Sequence, residues 1–187
     1  MAKRGGRDGG PSALMLWSNT GAGKTFLAAW AVRRAVLGGV FQSLCWVTER
    51  ELIGAAKRAH TDDPEPREVI KSARECELLV VDELFSDPVP THAYHDDGGR
   101  LMRSLAHVRD LFWERLGGRK PMLLTSNHGP VGRIARPSHD APAEWFDDEN
   151  GTSVWALVFD SRTASRWAAA GRAVACNGPD MRMNRGA

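Results

Sequence analysis

The 187-residue chain is poor in the features that mark secreted and membrane proteins. It has only three cysteines, Cys45, Cys76 and Cys176, without CxxC spacing, and their odd number argues against a disulfide framework. Its apolar runs fall well short of the ~20 residues that span a bilayer, and residues 1–11 lack the apolar centre of a signal peptide. We therefore expect a protein of the reducing cytoplasm.

The chain also lacks a large excess of either charge. Its formal net charge is +2, which is too small to indicate nucleic-acid binding by itself. Arginine accounts for 20 of the 25 basic residues, and its planar fork suits phosphate contacts, but a GC-rich genome gives the same excess. With 42% hydrophobic residues, the composition is that of an ordinary globular domain. We expect a flexible tail at 1–11 and a single domain at 12–187.

Predicted strands and helices alternate along the chain. The predicted strands are 13–17, 41–47, 78–81, 122–125 and 172–176, and the predicted helices are 25–37, 49–60, 67–76, 101–116 and 153–170. Polar segments at 87–99 and 128–151, rich in proline, glycine and aspartate, are predicted to be loops. Because each strand is almost wholly apolar, the pattern predicts an α/β fold, in which helices cover both faces of a parallel sheet.

A glycine-rich turn follows the first predicted strand. Residues 18–25 read SNTGAGKT and fit the phosphate-binding pattern GxxxxGK[ST] at every fixed position except the first, where Ser18 replaces glycine. In this pattern backbone N–H groups converge on the phosphates of ATP, Lys24 contacts the β- and γ-phosphates, and the Thr25 hydroxyl binds Mg²⁺. The predicted nucleotide-binding residues are Asn19, Thr20, Gly21, Ala22, Gly23, Lys24 and Thr25.

Polar residues end two of the predicted buried strands. The strand at 78–81 is followed by Asp82 and Glu83, where Asp82 is predicted to hold Mg²⁺ and Glu83 to polarise the water that attacks ATP. The strand at 122–125 is followed by Asn127, which is predicted to orient that water or to sense the γ-phosphate. Ligands of open α/β sheets bind beyond the carboxyl ends of the strands, so these groups are expected at one site.

Five segments within residues 12–182 carry a resemblance to a known family. They are WSNTGAGKTFLAAWAV, WVTERELIGAAKRA, LLVVDEL, KPMLLTSNH and SRTASRWAAAGRAVACNGPDMR. Together they resemble the AAA+ ATPase core of the DnaC/IstB family of helicase loaders and transposition ATPases. The resemblance implies a P-loop NTPase fold, and Lys24, Thr25, Asp82, Glu83 and Asn127 match the family's site residues.

The resemblance also implies an arginine finger, which reaches the ATP of a neighbouring subunit. The family's finger lies in a short helix with a hydrophobic residue after the arginine, which corresponds here to Ser165-Arg166-Trp167. Arg166 is therefore the predicted finger. Arg162, four residues earlier on the same helix face, is the alternative.

The function implied by the resemblance is ATP hydrolysis in a homo-oligomer that acts in DNA replication. Its implied partners are DNA, preferably single-stranded, and a replicative helicase, as for a DnaC-like loader. An IstB-like transposition regulator acting with a transposase, and an ATP-dependent scaffold with little hydrolysis, remain open. The chain departs from the family at Ser18 and in the long acidic stretch after Asn127, and its small size is typical of phage or mobile-element proteins.

Three further features each have two interpretations. By the resemblance, residues 48–77 correspond to the family's DNA-contacting insertion and include Lys57 and Arg58, but they carry eight acidic against six basic residues and also fit a solvated helical hairpin. The HxxHDD run at 92–97 is expected to be solvent-exposed rather than a metal site. Trp30 and Trp46 are expected to pack in the core rather than to stack on bases.

Overall fold

A computed structural model describes residues 11–58, 64–85, 103–127 and 161–178. Several sequence predictions fall outside these ranges. They are the N-terminal tail up to residue 10, the loops at 87–99 and 128–151, the histidine-containing run at 92–97, and the first part of the helix predicted at 153–170.

The described residues form a five-stranded sheet in the order β2-β3-β4-β1-β5, with every neighbouring pair parallel. The strands are β1 Ala13–Trp17, β2 Leu44–Thr48, β3 Leu78–Leu84, β4 Met122–Ser126 and β5 Gly171–Ala175. The helices are α1 Lys24–Leu37, α2 Glu49–Arg58, α3 Pro64–Glu75, α4 Arg103–Gly117 and α5 Ser161–Ala170. The predicted α/β class with a parallel sheet is confirmed.

Helices cover both faces of the sheet, and side chains alternate between the faces along each strand. On one face, Ala28 and Val32 of α1 pack with strand residues, namely Leu16, Leu78, Val80 and Leu123. On the other face, α2 to α5 pack over a larger cluster that includes Leu52, Ala73, Leu111, Phe112, Trp167 and strand residues Met15, Leu79, Val81 and Leu124. In the described part of the chain, no helix is both long and apolar enough to cross a bilayer.

The prediction that Trp30 and Trp46 pack in the core is wrong. Trp30 is 55% exposed, because α1 turns Ala28 and Val32 towards the sheet and Trp30 away from it. The guanidinium of Arg34 lies 5.9 Å from the centre of the Trp30 ring. Trp46 is 36% exposed on β2, which has a strand neighbour on one side only. Both rings therefore contribute to the surface.

Local sequence signals set the ends of the first two helices. Gly38 and Gly39 end α1, and their N–H groups donate to the carbonyls of Arg34 and Val36, as Gly39 adopts a φ of 67°. Thr48 and Glu51 form a capping box at the start of α2, in which each backbone N–H donates to the other side chain, at 2.7 and 3.1 Å. The Thr48 N–H and the Thr48 hydroxyl both donate to the Glu51 carboxylate, which lowers the pKa of Glu51.

Arg115 on α4 is a fully buried cation that joins four segments of the chain. Its Nη1 donates to the carbonyls of Ala73 and Cys76, both at 3.0 Å, and its Nη2 donates to those of Pro121 at 2.8 Å and Glu77 at 3.2 Å. These carbonyls lie at the end of α3 and just before β3 and β4. Arg115 thereby joins the carbonyls at the end of α3 to those that precede β3 and β4 through one buried side chain.

We expect Arg115→Met to lower the free energy of unfolding by about 3 kcal/mol or more, because hydrogen bonds to a charged group contribute roughly 1.5–3 kcal/mol each. Urea denaturation followed by circular dichroism measures this change. The control is Arg109→Met on the same helix, where the guanidinium is part-exposed and pairs with Asp110. An equal loss in both variants would contradict the structural role of Arg115.

Candidate functional site

The phosphate-binding sequence forms a loop between β1 and the first turn of α1. Gly21 and Gly23 adopt φ values of 88° and 81°, in the left-handed region that glycine enters without steric cost. Gly23 occupies the N-cap of α1, where no side chain caps the helix and no acidic residue lies in the first turn. The start of an α-helix favours an anion, through its dipole and through N–H groups that have no carbonyl partner within the helix.

Lys24 has its ammonium inside this loop, and the residue is 9% exposed. Its Nζ donates to the carbonyls of Ser18 at 2.9 Å and Asn19 at 2.8 Å, and to Asn127 Oδ1 at 2.9 Å. The Ser18 hydroxyl lies 3.4 Å from the same nitrogen. An ammonium has three hydrogens to donate, so these contacts hold it at a defined point between β1 and β4.

A hydroxyl and a carboxylate meet at the start of α1. Thr25 Oγ1 donates to Asp82 Oδ1 at 3.1 Å, and Asp82 is almost fully buried on β3. Hydroxyl and carboxylate oxygens are ligands that Mg²⁺ prefers, and it takes few of them from protein alongside phosphate and water. The donor set of Thr25 and Asp82 therefore fits the predicted metal.

Glu83 differs from its neighbour in both exposure and backbone shape. Its side chain is exposed at the end of β3, whereas Asp82 is buried. Its φ is 59°, in the left-handed region that residues other than glycine rarely adopt. Glu83, which is predicted to polarise water, is thus exposed to solvent and follows directly after Asp82, the carboxylate that contacts Thr25.

The segment after β5 also lies beside the phosphate loop. Sequence analysis did not predict this position. The N–H of Cys176 donates to the Trp17 carbonyl at 2.8 Å, and a Cβ added at Gly178 would lie 3.9 Å from the Ala22 carbonyl. Burial raises the pKa of the Cys176 thiol, and the charge of Lys24 acts in the opposite direction. Only the strand order, in which β5 lies next to β1, brings this segment to the loop.

Arg166 lies on the opposite face of the sheet from α1. Its guanidinium stacks over the Trp113 ring of α4, 3.8 Å from the ring centre. Gly117, one turn later on α4, leaves the space that this guanidinium occupies, since an added Cβ there would lie 2.0 Å from Arg166 Nη1. Arg162 is exposed on the same helix. The structure thus does not bring Arg166 to the Lys24 of its own chain.

No family model matches the sequence, and no curated protein matches it either. Solved structures do match at the level of fold. The chain is similar to the DnaC helicase loader, with a TM-score of 0.54 and 15% identity over 88% of this chain and 77% of that one. It is similar to DnaI, with a TM-score of 0.56 and 16% identity over 91% and 74% of the two chains.

The replication initiator DnaA, solved with AMPPCP and single-stranded DNA, is also similar. Its TM-score is 0.53 with 16% identity, and the match covers 88% of this chain and 40% of DnaA. The chain thus shares the fold of these replication proteins. It spans less than half the length of DnaA, so the likeness concerns only a part of that protein. The fold that the sequence segments imply is confirmed, while the roles of single residues stay predictions.

Proposed function

We propose that the chain is an AAA+ ATPase that acts in DNA replication as a DnaC-like helicase loader. The observation that carries this proposal is the contact network at the carboxyl ends of the strands. There, Lys24 and Thr25 contact Asn127 and Asp82, which lie near the carboxyl ends of the neighbouring strands β4 and β3. The AMPPCP in the similar DnaA structure supports nucleotide as the ligand of such a fold.

Each residue of this network has a proposed role in binding or hydrolysing ATP. The amides of residues 19–23 and the Lys24 ammonium bind the phosphates of ATP, and Thr25 with Asp82 holds Mg²⁺, which when bound neutralises phosphate charge. Glu83 accepts a proton from the attacking water as general base. Asn127 accepts from Lys24 through Oδ1, so its amide NH₂ remains for the γ-phosphate or the water.

In this proposal ATP binds between two subunits, and an arginine of one subunit completes the ATP site of the other. Arg166 is positioned by Trp113 on the face away from its own phosphate loop, which suits a contact with a neighbouring copy rather than with its own ATP. A guanidinium supplied in trans stabilises the charge that develops during phosphoryl transfer. Oligomerisation is accordingly part of the proposed mechanism.

DNA and a replicative helicase are the proposed partners, and the proposed compartment is the cytoplasm, where free thiols at all three cysteines persist. Within residues 48–77, the described part contains the helices α2 and α3, which pack against each other. Lys57 and Arg58 are exposed at the end of α2. Single-stranded DNA in the similar DnaA structure supports this class of ligand.

We expect Lys24→Ala to abolish ATP binding, because it removes the cation from a loop that otherwise offers neutral amides. Glu83→Gln should bind ATP as the parent does, yet its turnover should fall by at least ~10²-fold, the contribution of a positioned base. A fluorescent ATP analogue measures binding, and phosphate release measures turnover. If the glutamine variant hydrolyses ATP as fast as the parent, the proposed role of Glu83 is wrong. If both proteins bind ATP and neither hydrolyses it, a nucleotide-dependent scaffold is favoured.

We expect Arg166→Ala to bind ATP and fail to hydrolyse it, whereas Arg162→Ala on the same helix should retain turnover. Mixing Arg166→Ala with Lys24→Ala should restore activity, because each subunit lacks a different half of the shared site. The measurement is phosphate release across mixing ratios, with association checked by sedimentation. Loss of activity in Arg162→Ala instead would make Arg162 the finger.

We expect neutralisation of Lys57 and Arg58 to glutamine to flatten the slope of log affinity for DNA against log salt by roughly 1.4–1.8 units, which corresponds to two phosphate contacts. Fluorescence anisotropy with single- and double-stranded oligonucleotides measures the slope in the presence of ATP. The control neutralises Arg33 and Arg34 of α1, with the same change of charge. A flattened slope in the control alone would move the DNA surface to α1.

A further inference from the structure

β3 contains one more residue than β4 across a short stretch next to the candidate site. Val81 pairs with Leu124 and Leu84 pairs with Ser126, so Asp82 and Glu83 together lie opposite the single residue between them on β4, Thr125. Such a β-bulge disrupts the ladder of hydrogen bonds and re-aims the side chains of the bulged strand. The two carboxylates of the site therefore lie on a distortion of the sheet, and Thr125 faces it.

The Thr125 hydroxyl bonds to both residues of the bulge. It accepts from the Glu83 N–H at 3.0 Å, and it donates to Asp82 Oδ1. The direction of each bond follows from the groups involved, because an N–H only donates, an ionised carboxylate only accepts, and a hydroxyl has one hydrogen. Thr125 thus links the backbone of Glu83 to the same carboxylate oxygen that accepts from Thr25.

This link has a clear structural consequence for Glu83. In a bulge the extra residue is left out of the regular pairing, and the Glu83 N–H finds its acceptor in a side chain instead. A left-handed conformation is unfavourable for a residue other than glycine, so surrounding contacts must hold the φ of 59°. The Thr125 hydroxyl is almost fully buried, where water cannot replace it.

We propose that Thr125 is a positioning residue that places Asp82 and Glu83 together for ATP hydrolysis. Its hydroxyl oxygen contacts both the carboxylate of Asp82, which is proposed to hold Mg²⁺, and the backbone N–H of Glu83, the proposed base. Serine keeps this hydroxyl, whereas valine has nearly the same shape without it. This inference rests on the proposed ATPase function.

The first test measures the bulge without nucleotide. Amide hydrogen exchange at Glu83 should be slow in the parent and in Thr125→Ser, and at least about tenfold faster in Thr125→Val, because a buried hydrogen bond worth a factor of that order is lost. Leu123→Val is the matched control, since it shortens a buried side chain on the same strand and sheet face. It should leave the Glu83 amide protected.

The second test measures binding and turnover in the same variants. Without Mg²⁺, Thr125→Val should bind a fluorescent ATP analogue as the parent does, because the phosphate loop is intact. The gain in affinity on adding Mg²⁺ should shrink by about tenfold, and kcat should fall by roughly 10²-fold with little change in KM, the cost of a small misplacement of reacting groups. Thr125→Ser should restore both, and Leu123→Val should affect neither.

The outcomes separate this inference from the function beneath it. A Thr125→Val protein that loses protection at Glu83 and keeps parental kcat and Mg²⁺ dependence would overturn the positioning role and leave the ATPase proposal standing. Failure of the parent to bind nucleotide would overturn both. Thr125→Ala, which removes the hydroxyl without adding bulk, replaces the valine variant if that protein does not fold.

Discussion

One carboxylate oxygen, Asp82 Oδ1, accepts hydrogen bonds from two hydroxyls that belong to different elements. Thr25 lies in the first turn of the helix after the phosphate loop, and Thr125 lies on β4. A buried carboxylate is costly unless it is well paired, so these bonds hold the three elements in one arrangement. The contact between Lys24 and Asn127 joins the same loop to the end of β4 by a second path.

The parallel sheet makes this meeting possible. In the order β2-β3-β4-β1-β5, the strand that leads into the phosphate loop lies between β4 and β5, two places from the strand with the acidic pair. Parallel strands end at the same edge, so Trp17 pairs with Ser126 just before the loop and just before Asn127. At the amino-terminal ends of the strands, Arg115 holds the residues that precede β3 and β4. The site thus lies on strands anchored at both ends.

Local pattern was sufficient to predict the fold class and the loop at 18–25, because both follow from periodicity and from a motif with strict geometric needs. It could not reveal Thr125 or Arg115, since their partners are distant in sequence and depend on register. It misplaced Trp30 and Trp46 because a ring on α1 or on β2 packs inside only if another layer covers it. The tryptophan error shows that hydrophobicity alone does not predict burial.

The bulge at Asp82 and Glu83 was equally out of reach, because it arises from a mismatch of one residue between two strands and not from either strand's own sequence. The bulge leaves Glu83 exposed and Asp82 buried. This arrangement suits the proposed role of Glu83 as a general base that faces the substrate. Thr125, Asp82 and Glu83 therefore act as one unit in this account, and the phosphate loop supplies the other half of the site.

The proposal that ATP binds at a site shared between subunits can be tested by calorimetric titration of the parent chain with ATP and Mg²⁺, followed by phosphate release from the same samples over a range of protein concentrations. We expect one ATP bound per chain, and a turnover per chain that rises with protein concentration as neighbouring subunits complete the site. Absence of binding at millimolar ATP would contradict it.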